Sequence, residues 1–143
     1  MNLLDPISTI MTSKVYTLSE HASIEDAKKL FSNYRIHHIP IVEGGKLLGM
    51  LSKSDFLGFM NGREETPENR IKMKAYNVSM VMTKGIATLD ASDKINVALQ
   101  IFTENLFHAI PILEDGELAG IITTFDIIKQ LNKDGEAHST YSK

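Results

Sequence analysis

The stretch HAIPILEDGELAGIITTFD, His108 to Asp126, decides the fold, because the chain carries it twice. Its counterpart HHIPIVEGGKLLGMLSKSD, His37 to Asp55, lies 71 residues upstream and aligns without a gap. Pro40 and Pro111, Gly45 and Gly116, Gly49 and Gly120, and Asp55 and Asp126 all keep that offset. Working backward, the match continues through Phe31/Phe102, Ala27/Ala98, Ile24/Ile95 and Thr17/Thr88 to Met11-Thr12 and Met82-Thr83. Ser8 to Leu57 and Ser79 to Ile128 share 17 of 50 positions, which chance does not produce without a gap. One fold unit is written twice, which implies a pseudo-twofold pair.

Each repeat alone is a marginal size for independent folding, so two half-domains sharing one core are expected. A net charge of -3 gives no electrostatic footprint for nucleic acid or an anionic membrane. The absence of cysteine excludes disulfides and thiolate chemistry and suits a reducing cytoplasm. MNLLDPISTIMTSK lacks the apolar core of a signal peptide, and no run has the length of a membrane span. A cytoplasmic protein is expected.

In chain order, Asp5-Pro6 reads as a helix start for Pro6 to Met11, matched by Val78 to Met82. Val15 to Leu18 and Ile86 to Leu89 read as short extended segments. Ser23-Ile-Glu-Asp26 is a capping box opening a helix, Ile24 to Tyr34, with Ile24, Ala27, Leu30, Phe31 and Tyr34 on one face. The twin helix starts near Asp93, and Val97 widens its apolar arc, so it is expected to be the more buried. Hairpins follow: Ile39–Val42 with Leu47–Leu51 around Gly44-Gly45, and Ile110–Leu113 with Leu118–Ile122 around Asp115-Gly116. LLGML and LAGII are apolar on both faces, while Pro40 and Pro111 call for a strand start or edge. Short helices from Asp55 to Met60 and Asp126 to Leu131 complete the repeats. The class is α+β, two β-α-β-β-α repeats: residues 1–60 with the N-terminal segment, a 61–77 connector with room for a helical turn after Pro67, 78–131, and a polar tail 132–143.

The chemistry-bearing pattern is Gly49-x-x-Ser52-x-x-Asp55 and Gly120-x-x-Thr123-x-x-Asp126. Ser/Thr-x-x-Asp at a helix start is itself a capping box, with hydroxyl and carboxylate satisfying backbone donors. The glycines, equally, permit close packing of helix and strand. The same helix start also suits a ligand. Free amides and the positive helix end attract phosphate, a hydroxyl adds a donor, and a carboxylate accepts from the paired hydroxyls of a ribose. Glycine admits a flat base.

The tandem units resemble a pair of CBS domains, the module named after cystathionine β-synthase. The resemblance rests on the h-x-h-P element, the glycine turn and G-x-x-[ST]-x-x-D, each present twice between about Ser8 and Ile128. It implies two clefts for adenosine-containing ligands such as AMP, ADP, ATP or S-adenosylmethionine, each cleft mixing both repeats. Carried over, one cleft comprises Thr17, His37, His38, Ile39 and Pro40 with Thr123 and Asp126. The other comprises Thr88, His108, Ala109, Ile110 and Pro111 with Ser52 and Asp55. They are not equivalent: His38 stands against Ala109, and Ser54 against Phe125.

His37 and His38 point to opposite faces of an extended segment and cannot share a metal, and no ligand spacing for one is present. His37 and His108 compete between backbone hydrogen bonding and phosphate contact. With no nucleophile elbow, P-loop or assembled acid–base pair, the chain does not read as an enzyme, and no cofactor is required. Two functions stay open. One is a regulatory adenine-nucleotide sensor acting on an unknown partner protein. The other is a ligand-independent dimerisation or docking module with vestigial clefts, using apolar helix residues Phe56, Leu57, Phe59, Met60, Ile127, Ile128 and Leu131. The resemblance implies a homodimer under both.

Overall fold

The structure, a computed structural model, describes residues 1–62 and 65–136. It divides into two compact units, Val15–Ile86 and the combination of Met1–Lys14 with Ala87–Lys143. The first is contiguous in sequence and the second composite. These packing units cut the chain at different places from the repeats of sequence similarity.

The contiguous unit holds α1 (Ile24–Asn33), β1 (His38–Glu43), β2 (Lys46–Ser52), α2 (Lys53–Met60), α3 (Pro67–Ala75) and a 3-10 turn at Val78–Met80. The composite unit holds a 3-10 turn at Ile7–Thr9, then β3 (Leu89–Asp90), α4 (Ile95–Thr103), β4 (Ala109–Glu114), β5 (Glu117–Thr123) and α5 (Thr124–Glu136). The class is α+β, and the repeated hairpin-and-helix is present in both units.

The hairpins follow from their turn residues. Gly44 and Gly45 have φ of 57° and 81°, Asp115 and Gly116 of 52° and 80°, the left-handed pair that a two-residue primed turn requires. In β2, Gly49 faces Ile41 but Leu47 faces Val42, so Leu48 is an extra, bulged residue; Ala119 takes that place in β5. The bulge explains why burial on both faces holds only for Gly49 to Leu51 and Gly120 to Ile122, while Leu48 is exposed.

Pro40 and Pro111 are each the third residue of a strand, and Pro111 lies in β4, the central strand of β3-β4-β5. The expected strand start or edge is therefore corrected for Pro111, whereas Pro40 lies in β1 of the two-stranded sheet β1-β2, an edge strand as expected. Pro111 faces Ile121, whose own amide and carbonyl turn the other way to pair with Thr12. On the far side, β3 reaches only Ile112 and Leu113, so the missing N–H costs no ladder bond.

The α1 capping box forms as expected, Ser23 and Asp26 exchanging bonds with each other's amides at 3.2 and 3.0 Å. Asp93 does not cap α4; its carboxylate accepts the Asp90 N–H at 2.8 Å, and Lys94 occupies the cap position. Nor is α4 the more buried helix. Phe31 of α1 is buried where Phe102 is only half-buried, and Val97 stays 38% exposed. The difference comes from α3, which packs on α1, placing Met73 in its core and pairing Lys74 with Glu25, while Glu65, just ahead of α3, pairs with Lys28. The stretch expected as connector is thus largely helix, started by Thr66, whose hydroxyl accepts the Asn69 N–H, and by Pro67. The Pro6 and Val78 helices shrink to single 3-10 turns. α5 continues to Glu136, beyond the expected Leu131, and the rest of the expected tail, 137–143, lies outside the described residues.

Most buried apolar residues fall into one cluster in each unit. Ile24, Ala27, Ile39, Ile41, Leu51, Met73 and Val78 build the contiguous core; Ile7, Ile95, Ala98, Ile110, Ile112 and Ile122 build the composite one. Ile7 and Val78 are both fully buried, a contribution of about 1.5–3 kcal/mol each. The chain around them is tied down alike. Ile7 N–H donates to Asp93 C=O at 2.8 Å, and Thr12 and Ile121 exchange both backbone bonds at 2.9 Å. In the contiguous unit Val78 N–H donates to Ala22 C=O at 2.8 Å, and Thr83 pairs with Met50 at 2.8 and 3.0 Å. Each repeat thereby gains a further layer that the repeat alignment does not show.

Candidate functional site

The strand-to-helix corner of each unit carries the signature residues. In the contiguous unit Ser52 caps α2: its hydroxyl accepts the Asp55 N–H at 2.9 Å, while the Asp55 carboxylate accepts the Ser52 N–H at 3.1 Å. His37 C=O accepts the Lys53 N–H at 2.7 Å, which leaves Ser54 N–H as the first-turn donor with no partner among the described residues. The composite unit repeats this. Thr123 hydroxyl accepts the Asp126 N–H at 3.1 Å, Asp126 accepts the Thr123 N–H at 2.9 Å, and His108 C=O accepts the Thr124 N–H at 3.1 Å.

The capping-box reading is therefore present in full, and it does not exhaust the groups. Each cap hydroxyl, having accepted one bond, keeps its own proton to donate, and each carboxylate has lone pairs beyond the one its cap uses. A third partner takes part of that capacity. Thr12 donates its hydroxyl to Asp126 Oδ1 at 3.0 Å, and Thr83 donates to Asp55 Oδ2 at 3.3 Å. Sequence reasoning assigned no role to these threonines. Their signal was the repeated Met-Thr pair at the 71-residue offset, Met11-Thr12 and Met82-Thr83.

The glycines serve the same contact. A Cβ on Gly49 would sit 2.9 Å from the Thr83 carbonyl and 2.7 Å from the Met82 sulfur. On Gly120 it would sit 2.7 Å from the Thr12 carbonyl and 2.8 Å from the Met11 sulfur. The space expected for a flat base is filled by the protein's own Met-Thr segments, which corrects that expectation.

Along the strands, Ile39, Pro40, Ala109, Ile110 and Pro111 are buried, and His38 is half-buried. His37, His108, Thr17 and Thr88 are exposed. Leu18, next to Thr17, bridges β1 by donating to Pro40 C=O and accepting from Val42 N–H at 3.2 and 2.9 Å. This places Thr17 beside the proline of its own unit, as β3 places Thr88 near Pro111. Tyr16 stacks on Tyr34 with ring centroids 4.0 Å apart. Desolvation, then the Tyr34 phenol, push the Tyr16 phenol above its ordinary value. Within each unit the structure thus groups strand, threonine, histidine and capping box. Among the described residues no cluster of three His, Asp or Glu side chains is arranged to hold a metal.

The CBS domain family model matches residues 7–62 and again 78–133, together most of the chain. The chain belongs to the CBS domain family. Its two matches are the two repeats, so it is a tandem CBS pair. An inosine-5'-monophosphate dehydrogenase from Thermoplasma acidophilum is 32% identical over 121 residues, 84% of this chain and 22% of that enzyme. The chain spans less than half the length of this and other curated relatives it matches. The fold also matches CBSX2 in complex with AMP, with a TM-score of 0.75, 20% identity, and coverage of 91% of this CBS pair and 98% of that chain. The CBS domain pair of protein MJ0100, in complex with 5-methylthioadenosine and S-adenosyl-L-methionine, gives 0.74 and 20%, covering 92% and 98%. Among the described residues no helix of the pair is long and apolar enough to cross a membrane.

Proposed function

We propose that this CBS pair is a regulatory module that binds adenosine nucleotides, AMP, ADP or ATP, and alters the behaviour of a partner protein in response. The observation that carries the reading is the doubled corner, a capping hydroxyl with a spare proton beside a carboxylate with spare lone pairs. Two hydroxyls side by side on a ribose are the donors such a carboxylate accepts, and the Ser54 and Phe125 amides are donors for phosphate. Solved CBS proteins of the same fold hold AMP in one case and 5-methylthioadenosine with S-adenosyl-L-methionine in another, which supports the adenosine class. Ser52, Asp55, Thr123 and Asp126 supply the polar contacts. Thr17, His37, His38, Ile39 and Pro40, with Thr88, His108, Ala109, Ile110 and Pro111, line the ligand. No catalytic step is assigned.

A thermal-shift series with AMP, ADP, ATP and S-adenosylmethionine tests the reading. A ligand at one hundred times its dissociation constant adds about 2.7 kcal/mol, a rise of several degrees in a domain of this size. Asp55→Ala or Asp126→Ala should diminish that rise. No shift with any of the four would leave the second reading, a homodimerisation or docking module. That reading is favoured by the exposed α5 stripe Phe125, Ile128 and Leu131 and by exposed Leu57 on α2.

A further inference from the structure

The two carboxylates are unequally available, and we infer that this sets an order of use: Asp55 takes the vicinal hydroxyls of a nucleoside first, and Thr12 holds Asp126 back. The inference rests on the nucleotide-binding reading and names which half of the pair leads.

Asp55 takes both of its hydrogen bonds on one oxygen. Ser52 N–H at 3.1 Å and the Thr83 hydroxyl at 3.3 Å both meet Oδ2, and Oδ1 has no partner among the described residues. Asp126 divides its bonds, with Thr123 N–H on Oδ2 at 2.9 Å and the Thr12 hydroxyl on Oδ1 at 3.0 Å. Asp126 is also buried, 7% exposed, where Asp55 is half-buried. A ribose presents two adjacent O–H donors, and an ionised carboxylate receives them best with its acceptor sites open. At Asp55 one oxygen is open already, and the Thr83 bond is longer than the usual O–H···O range, so yielding it is cheap. At Asp126 neither oxygen is open: an incoming hydroxyl shares Oδ2 with the Thr123 N–H, or shares Oδ1 with the Thr12 hydroxyl or displaces it.

Thr12 is not free to step aside as a whole. Its backbone exchanges two hydrogen bonds with Ile121 at 2.9 Å, and its carbonyl lies against Gly120. Only its hydroxyl can give way, so the restraint on Asp126 is the strength of one hydrogen bond to a charged acceptor. The helix starts differ in the same sense. α2 opens on Lys53, which makes no ion pair among the described residues, whereas α5 opens on the neutral Thr124. At the start of α2, Lys53 offers a cation to a phosphate carried by the nucleoside; at the start of α5 the nearest lysine, Lys129, lies over the Phe125 ring, 5.3 Å from its centroid.

Calorimetric titration of the full chain with AMP tests the order. Wild type should show two unequal events, about tenfold apart, the scale of one hydrogen bond to a charged group. Asp55→Asn should remove the tighter event and Asp126→Asn the weaker. Thr12→Val should tighten the weaker event by about tenfold, while Thr12→Ser, which keeps the hydroxyl, should behave as wild type. Thermal midpoints of the four variants separate lost binding from lost folding. Two equal events, loss of the tighter event in Asp126→Asn, or no change of the weaker event in a folded Thr12→Val would overturn the order and leave nucleotide binding standing. No heat with AMP, ADP, ATP or S-adenosylmethionine would overturn the nucleotide reading itself, and the order with it.

Discussion

At the scale of single residues, Gly120 ties the binding motif to the architecture. A methyl group there meets the carbonyl of Thr12 at 2.7 Å, and backbone held by two hydrogen bonds cannot yield as a flexible side chain would. Gly120→Ala should cost about 1–3 kcal/mol in urea denaturation, the range for overpacking, and should loosen the Thr12 contact to Asp126. Part of this corner was legible in sequence. Ser52 with Asp55 and Thr123 with Asp126 are three residues apart, and a capping box is a local object. The contact from Thr12 to Asp126 spans 114 residues, and no local pattern reports it. For the same reason Gly120 read as room for a ligand base: its spacing shows that something must approach closely, and only the fold shows what does.

At the scale of elements, α3 extends the helical turn expected after Pro67 into a packed helix, Pro67–Ala75. NGREETPENRIKMKAYN is polar and holds a Gly and a Pro, so its composition reads as connector. Thr66 and Pro67 nonetheless form a sound helix start, and Met73 anchors the helix in the contiguous core at 2% exposure. Met73→Ala should cost about 2–5 kcal/mol. Ile71→Ala on the same helix, where the side chain is 68% exposed, should stay within about 0.5 kcal/mol. Equal effects in chemical denaturation would mean that α3 does not pack as described. The hairpin turns were legible, since Gly44-Gly45 and Asp115-Gly116 adopt the left-handed pair their chemistry demands. The bulges at Leu48 and Ala119 were not, because an extra residue within an apolar strand leaves the pattern of residue types unchanged.

At the scale of the whole molecule, repeat and folding unit are different divisions of the same chain. Self-alignment finds the repeats because they share residues; it cannot show which neighbouring segment packs on which. Residues 15–86 carry every element of the contiguous unit, so that fragment should fold alone with a cooperative thermal transition. A fragment of residues 78–136 lacks Ile7 and Thr12 and should not, until a peptide of residues 1–14 is added in trans. Circular dichroism of the two fragments, with and without the peptide, checks this. Cooperative folding of 78–136 by itself would show the N-terminal segment to be dispensable.

That arrangement bears on how the protein is born. A ribosome releases Thr12 long before Asp126, and at roughly 5–20 residues per second the wait is on the order of ten seconds. At the start of that interval Ile7 lacks Ile95, Ala98, Ile110, Ile112 and Ile122, while residues 15–86 can close without any later segment. Residues 1–14 should therefore complete their packing only after residues 87–126 are made, whereas residues 15–86 can close earlier.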